Sequence, residues 1–439
     1  MNSIGILWAQ YGPYHHARVA ALRKLAAPIK IHALELANRS ALYGWKRADN
    51  ESELITLCPG AEAEKLSFWN VFWRARKLFA ELKLEVCILP SYSPKESLAA
   101  LLAAKSLGIR AVMMNESHAG TGRGVRGPAA WAKRCLVRLF SAALVGGLPQ
   151  KRYFTALGLR KEKIFTGYDA VDNDYFFRRA AEVRGQRSEV RGRYQLPEHY
   201  FLSLGRFVTK KNLGTLLRAY RQVLDSKPGC QTHLVMVGSG EEESKLKALC
   251  HELRLRTYDK TNSGIGNRKS EIDKELPGVH FYGFRQIEEN PVFYALADAF
   301  ILPSLWEEWG LVVNEAMASG LPVVVSDTAG CAEDLLPAGP SIATENLFGR
   351  SAQLASRVRP NGFLFDPQSV EALAEVLLTL ESAPALREAM GRTSRQIVER
   401  FSCENFARNA LLAARVAMGE DLSRTPAVDQ RVMPAKSTS

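Results

Sequence analysis

"AFILPSLWEEWGLVVNEAMASGLPVVVSD", Ala299 to Asp327, is a strand, a loop, a helix and a second strand in succession. "AFILPS" and "LPVVVSD" are apolar almost throughout, as strands covered on both faces are. Between them "LVVNEAMASG" has helical patterning, and Gly310 ahead of it permits a tight turn or the close approach of a ligand. The unit is a βαβ crossover, the building block of a parallel sheet. It places Glu307 in the loop at the C-terminal end of the first strand and Glu315 in the helix, so both carboxylates border one pocket. Acceptor-only carboxylates in such a position suit a polyol, each taking bonds from neighbouring hydroxyls. Spacing alone leaves another reading open, with Glu307 and Glu308 as solvated loop residues and Glu315 as a helix cap.

The same alternation runs outward in both directions. "IGILWA", "IKIHAL", "VCILP" and "AVMMN" precede it, then "YFLSLG", "HLVMVG" and "VHFYG", and "GFLFD" follows. Amphipathic stretches such as "LGTLLRAYRQVL" separate them. The expected fold is α/β, with two doubly wound, Rossmann-like domains facing across a cleft. Residues 1–180 form the first domain and 199–400 the second. The polar, Arg- and Gly-rich interval 181–198 reads as a linker, 256–278 as a mobile insertion, and 420–439 as a disordered tail.

At 439 residues, with 46% hydrophobic and 24% charged side chains, the chain has the size and composition of a multidomain globular protein. No apolar run approaches the ~20 residues a membrane-spanning helix needs. "MNSIGILWAQ" opens directly into a strand without the basic start of a leader, so the expected location is the cytoplasm. Seven cysteines are scattered without C-x-x-C spacing, against both a disulfide framework and a zinc site. A formal charge of +12 asks for an anionic partner, and no nucleic-acid-binding signature accompanies it. A phosphate-bearing substrate or an anionic membrane face is expected instead. In "SFWNVFWRARKLFAELK", Phe68, Val71, Phe72, Ala75, Phe79 and Leu82 share one helical face, with Trp69, Trp73, Arg76 and Lys83 on its flank. That flank suits a membrane interface, and a thick-faced core helix is the alternative.

"EEWGLVVNEAMASGLPVVVSD" closely resembles the E-x7-E segment of retaining glycosyltransferases of family 4, which have the GT-B fold. The resemblance implies that Glu315 binds the donor ribose and that Glu307 contacts the donor sugar or diphosphate, with Gly310 beside it. "LSLGRFVTKKNLGTLLRAY" places Arg206 and Lys211 before a helix, and cations at a helix N-terminus can hold a diphosphate. Solvated surface cations are the alternative, but the segment resembles the family's G-R-x-x-x-x-K motif. Arg206 and Lys211 would therefore hold the donor pyrophosphate, with Lys210 as a solvated neighbour. "LVMVGSG" resembles the G-x-G turn beside the nucleotide, at Gly238 and Gly240. "VHFYGF" resembles the strand whose end meets the base, at Phe284 and Arg285. His118 in "AVMMNESHAG" falls where relatives carry a histidine near the transferred sugar. After the first strand the family often has a Gly-Gly turn. Here Gly12-Pro13 is followed by Tyr14, His15 and His16, a departure that assigns this loop to the acceptor.

The resemblance covers nearly all of the second domain and, more loosely, residues 12–176. "FSCENFARNALLAARVAMG", 401–419, resembles the helix that crosses back to the first domain in this fold. "VDNDYF" resembles a linker segment, so Asp172 and Asp174 are expected to be structural. The implied protein moves a sugar from a nucleoside diphosphate to a glycan, lipid-linked or small-molecule acceptor, in cell-surface polysaccharide or glycoconjugate synthesis. Glu307, His118, Arg206 and Lys211 are its catalytic set. It needs no metal or cofactor and works in the cytoplasm, with contact at the inner face of the plasma membrane left open. A nucleotide-sugar-binding protein without transfer, and an epimerase of the same fold, also remain open.

Overall fold

The computed structural model describes residues 1–40, 53–121, 127–261, 276–339 and 357–421. Strands β1 (Ser3–Trp8), β2 (Lys30–Arg39), β3 (Leu54–Glu62), β4 (Val86–Pro90), β5 (Arg110–Asn115), β6 (Ala142–Val145) and β7 (Ile164–Phe165) form the first sheet. Their order is β3-β2-β1-β4-β5-β6-β7, and every pairing is parallel. Val86, Cys87, Ile88 and Leu89 of β4 are fully buried, since helices cover both faces. On one face Val71, Ala75 and Phe79 of the Phe68–Glu81 helix pack with the alanine-rich Lys95–Ser106 helix. On the other lie the Pro13–Ala26 helix and, from the far end of the chain, the Cys403–Ala417 helix. The latter buries Phe406 among Ala407, Ala410, Ala413 and Ala414, and these small side chains let it lie close to the sheet. Burying one such phenylalanine contributes roughly 1.5–3 kcal/mol.

The second sheet contains β8 (Tyr200–Leu204), β9 (His233–Val237), β10 (Thr257–Asp259), β11 (Val279–Phe281), β12 (Ala299–Leu302), β13 (Val323–Ser326), β14 (Val358–Arg359) and β15 (Gly362–Phe365). Its order is β10-β11-β9-β8-β12-β13-β15-β14, parallel except for the β14–β15 edge pair. Residues 181–198, expected as a linker, are largely helical. The Asn173–Gly185 helix runs into this interval and the Arg187–Tyr194 helix follows. Arg and Gly content reads as loop, yet Ala180 and Val183 are buried and Arg184 donates to the Ala295 and Ser319 carbonyls at 3.0 and 2.6 Å. Asp172 caps the first of these helices, its Oδ1 accepting from the Tyr175 N–H at 2.8 Å. Of the insertion expected at 256–278, residues 262–275 lie outside the described residues, as does the tail from 422 onward.

The segments that follow β1, β5 and β6 meet those that follow β12 and β13. The chain crosses between the two sheets at Val171 and returns at Ser402, where the two passages form a parallel bridge.

Candidate active site

The site is built on the loop after β12. Ser304 is fully buried, and the Glu307 carbonyl accepts from the Gly330 N–H at 2.9 Å, which pins the loop to the one after β13. Gly330 is needed there, because a Cβ on it would stand 1.9 Å from the Glu308 carbonyl oxygen. A second loop, after β8, is joined to this one from the other side. The Leu305 N–H donates to the Lys210 carbonyl at 2.8 Å, and the Asn212 amide donates to the Pro303 and Pro367 carbonyls at 3.1 and 2.8 Å.

These joints bring Lys210 and Lys211 onto Glu307. Lys210 Nζ lies 3.1 Å from Glu307 Oε1 and 2.7 Å from Glu308 Oε2, and Lys211 Nζ bonds Glu307 Oε2. The Ser304 hydroxyl adds a contact at 3.3 Å. Burial pushes the Glu307 carboxyl up, but Lys211 and Lys210 outweigh it and hold its pKa below the ordinary value. Lys210, expected as a solvated neighbour, is thus a bonded member of the cluster. Its chain direction in the short turn Thr209–Lys211 turns it inward beside Lys211. Arg206 stands exposed at the mouth, after β8.

Glu315 is fully buried in the Leu311–Ala318 helix. That helix starts from Gly310 at φ 109°, a conformation that favours glycine. Glu315 Oε1 accepts from the Tyr14 hydroxyl, and Oε2 lies 3.3 Å from the Asn290 amide nitrogen. Burial raises its pKa to about 7, against the opposing hydrogen bonds of Tyr14, Tyr294 and Asn290.

The first domain meets this wall at several points. His118 Nδ1 accepts from the Gly120 N–H at 3.2 Å, which leaves Nε2 protonated to donate to the Glu307 carbonyl at 2.9 Å. Gln150 donates to the Glu308 carbonyl at 2.9 Å, and the Leu148 N–H to Asp334 Oδ2 at 2.9 Å. Arg152 forks onto Glu333 at 2.8 and 2.5 Å. Tyr14, expected on the acceptor side, reaches across to Glu315. His15 turns away from the cleft. It accepts the Gly12 N–H at 2.8 Å and stacks on Trp8 at 4.3 Å, and burial, then Arg18 and His16, hold its pKa well below the ordinary value. His16 packs edge-on to Tyr11.

Gly238 and Gly240 have a packing role in this structure. A Cβ on Gly238 would lie 1.9 Å from the Gly205 carbonyl oxygen, and one on Gly240 would lie 2.4 Å from that of Phe207. The Gly238 N–H is already bonded to the Gly283 carbonyl at 2.8 Å. These glycines seat the β9 loop against the Arg206 loop. Phe284 is 46% exposed after β11, whereas Arg285 bonds the Lys260 carbonyl at 3.5 Å and pairs with Glu289 at 3.8 Å.

Sequence reasoning missed a buried group beneath the cleft. Asp169 and Glu116 interact there, each with its pKa raised first by burial, and Arg18 donates to the Ala170 carbonyl at 2.8 Å. Trp309 covers them from the second domain and donates to Asn314 at 2.9 Å. Glu116 stands two residues before His118, a local signal. Asp169 and Arg18 offered none, being separated in sequence by far more than one element.

Residues 198–382 match the family described as "Glycosyl transferases group 1". An uncharacterized glycosyltransferase of Methanocaldococcus jannaschii is 25% identical over 222 residues, 50% of this chain and 46% of its own length. The sulfoquinovosyl transferase of Arabidopsis thaliana is 35% identical over 140 residues, 31% of this chain and 24% of its own. The chain spans less than half the length of these curated relatives. Among solved structures, the sucrose-phosphate synthase of Thermosynechococcus elongatus superposes with a TM-score of 0.66 at 18% identity, over 95% of this chain and 100% of that one. Anabaena HepE, solved in complex with UDP-glucose, superposes with a TM-score of 0.62 at 17% identity, over 96% and 100%. The architecture is the GT-B fold, two Rossmann-like domains across a cleft, and the match to the group 1 glycosyltransferase family falls within its second domain.

Proposed function

We propose that this chain is a retaining glycosyltransferase of the family 4 type. It moves a sugar from a nucleoside diphosphate onto an acceptor hydroxyl and needs no metal. The observation that carries the proposal is Glu307 held between Lys210 and Lys211, eight residues ahead of the buried Glu315. Glu307 neutralises the two amines. A bound diphosphate takes over part of that role, with Arg206 closing from the mouth. The ribose hydroxyls donate to Glu315 in place of Tyr14. The bond from the anomeric carbon to the phosphate oxygen then breaks, and one to the acceptor oxygen forms on the same face. The acceptor's proton passes to the departing phosphate. At ~4 Å and an effective dielectric of ~20, one cation-to-phosphate contact is worth about 4 kcal/mol before desolvation. Two or three such contacts can stand in for a divalent ion. Asp172 of the D-N-D motif serves as a helix cap.

The acceptor is a glycan, a lipid-linked sugar or a small molecule. The exposed Trp69 and Trp73, with Arg76 and Lys77, favour delivery from an anionic membrane surface. No described helix is long and apolar enough to cross a membrane.

A thermal-shift screen of UDP-, GDP-, ADP- and dTDP-sugars should find a stabilising donor, by ~2.7 kcal/mol at about 100 times its dissociation constant. With that donor, free nucleoside diphosphate should be released only when acceptor is present, and release should continue in excess EDTA. Lys211→Ala should abolish it, with magnesium giving no rescue. Interconversion of the sugar on an intact nucleotide would replace transfer by epimerisation. Loss of turnover in EDTA, restored by magnesium, would overturn metal independence.

A further inference from the structure

A cavity of about 510 Å³ opens between the domains on the far side of the Glu307 loop. That volume falls in the range of small-molecule sites, about 300–1,000 Å³. Trp306, Asp327, Thr328 and Glu333 line it from the second domain, and His118 and Arg152 from the first; the rest is mainly alanine, glycine and proline. Resting on the transferase reading above, we infer that this cavity is the acceptor subsite and that it takes a neutral saccharide, with a pyranose ring stacked on the Trp306 indole.

Trp306 is 42% exposed although it directly precedes the buried Glu307. An indole held open in a crevice offers a flat apolar surface to the C–H face of a sugar ring. Around it are carboxylates at Asp327 and Glu333, which accept from paired hydroxyls. The Thr328 hydroxyl donates to the Ser304 carbonyl at 3.2 Å, so its oxygen is left as an acceptor toward the cavity. Charge narrows the class further. Among the described lining residues Arg152 is the single Lys or Arg, and both arms of its guanidinium are on Glu333. A phosphorylated acceptor would meet two carboxylates and no spare cation. Position completes the argument. His118 lines the cavity and also donates to the Glu307 carbonyl, so a ring seated on Trp306 lies next to the donor sugar held at Glu307.

Saturation-transfer NMR on the full chain tests this with methyl α-D-glucopyranoside, methyl α-D-mannopyranoside and methyl β-D-galactopyranoside, each against its 6-phosphate. At least one neutral glycoside should bind. Its affinity should fall on the order of tenfold in Trp306→Ala and be retained in Trp306→Phe, a loss of about 1.4 kcal/mol. Nucleotide-sugar binding, read by thermal shift, certifies that each variant is folded. Binding of no glycoside, equal binding to Trp306→Ala, or preference for the 6-phosphates overturns the subsite. Donor binding without glycoside binding removes this inference and leaves the transferase reading. Glycoside binding without any donor keeps the saccharide site and removes the transferase.

Discussion

With no exposed surface, the Glu315 carboxyl keeps its proton up to about pH 7, and burial is the first cause. Its folded-state pKa therefore stands above the ordinary carboxylate value of the unfolded chain. The stability this confers is fully present below about pH 4.5 and is lost as pH rises toward 7. Glu315→Gln, which mimics the protonated group, should match the wild type near pH 4.5 in denaturant melts. At pH 8 it should exceed it by on the order of 3 kcal/mol. The same variant should bind the donor roughly ten- to a hundredfold more weakly, because an amide is a poorer acceptor for ribose hydroxyls. Equal stability at both pH values would mean that the buried carboxyl ionises at its ordinary pKa. The type and spacing of Glu307 and Glu315 could be read along the chain. Their partners could not, since Tyr14 and His118 reach them across more than a hundred residues, where no local period operates.

At the scale of elements, strands such as β4, β12 and β13 were legible because both their faces are buried and Val, Ile, Leu or Phe fill them. β3 escaped because "LITLCPGAE" contains Pro59 and Gly60, which an edge strand tolerates and a central one does not. β6, "AALV", is half alanine and reads as helix, and the two-residue β7 and β14 are too short to stand out from loop. The Phe68–Glu81 helix divides its apolar residues between two faces. Val71, Ala75 and Phe79 form its core face, whereas Trp69 is 65% and Trp73 60% exposed, in an edge-to-face ladder with Phe68 and Phe72. Exposed indoles beside Arg and Lys lead to a defined expectation. Phosphatidylglycerol vesicles should sediment the protein at low salt and release it as salt screens the charge. The double variant Trp69→Ala/Trp73→Ala should lose most of this binding while keeping its melting temperature. Unaltered sedimentation would move the basic charge to another task.

Across the whole molecule, Tyr14, His118, Gln150 and Arg152 of the first domain all reach residues of the second, and these contacts hold the two walls of the cleft together. The Arg152–Glu333 pair is solvent-exposed and contributes at most about 1 kcal/mol. Tyr14 matters differently, because its hydroxyl occupies the oxygen that a ribose would need. Tyr14→Phe should therefore tighten donor binding, by about fivefold if one hydrogen bond of ~1 kcal/mol no longer has to be exchanged. Calorimetric titration with the donor from the screen measures it. Weaker binding would place the tyrosine hydroxyl beside the ribose and not in its place.

The Cys403–Ala417 helix has a consequence for how this protein is made. It covers the side of the first sheet formed by Ile4, Ile6, Val86, Ile88 and Val112, yet it leaves the ribosome about four hundred residues after β1. Until then that side of the nascent sheet keeps an apolar surface bare in water. The second sheet is contiguous in sequence from β8 to β15, and the helix that follows it at once, Val370–Ser382, packs Leu373, Leu377 and Leu380 onto it. Synthesis that usually finishes domains from the N-terminus onward would here complete the first one last.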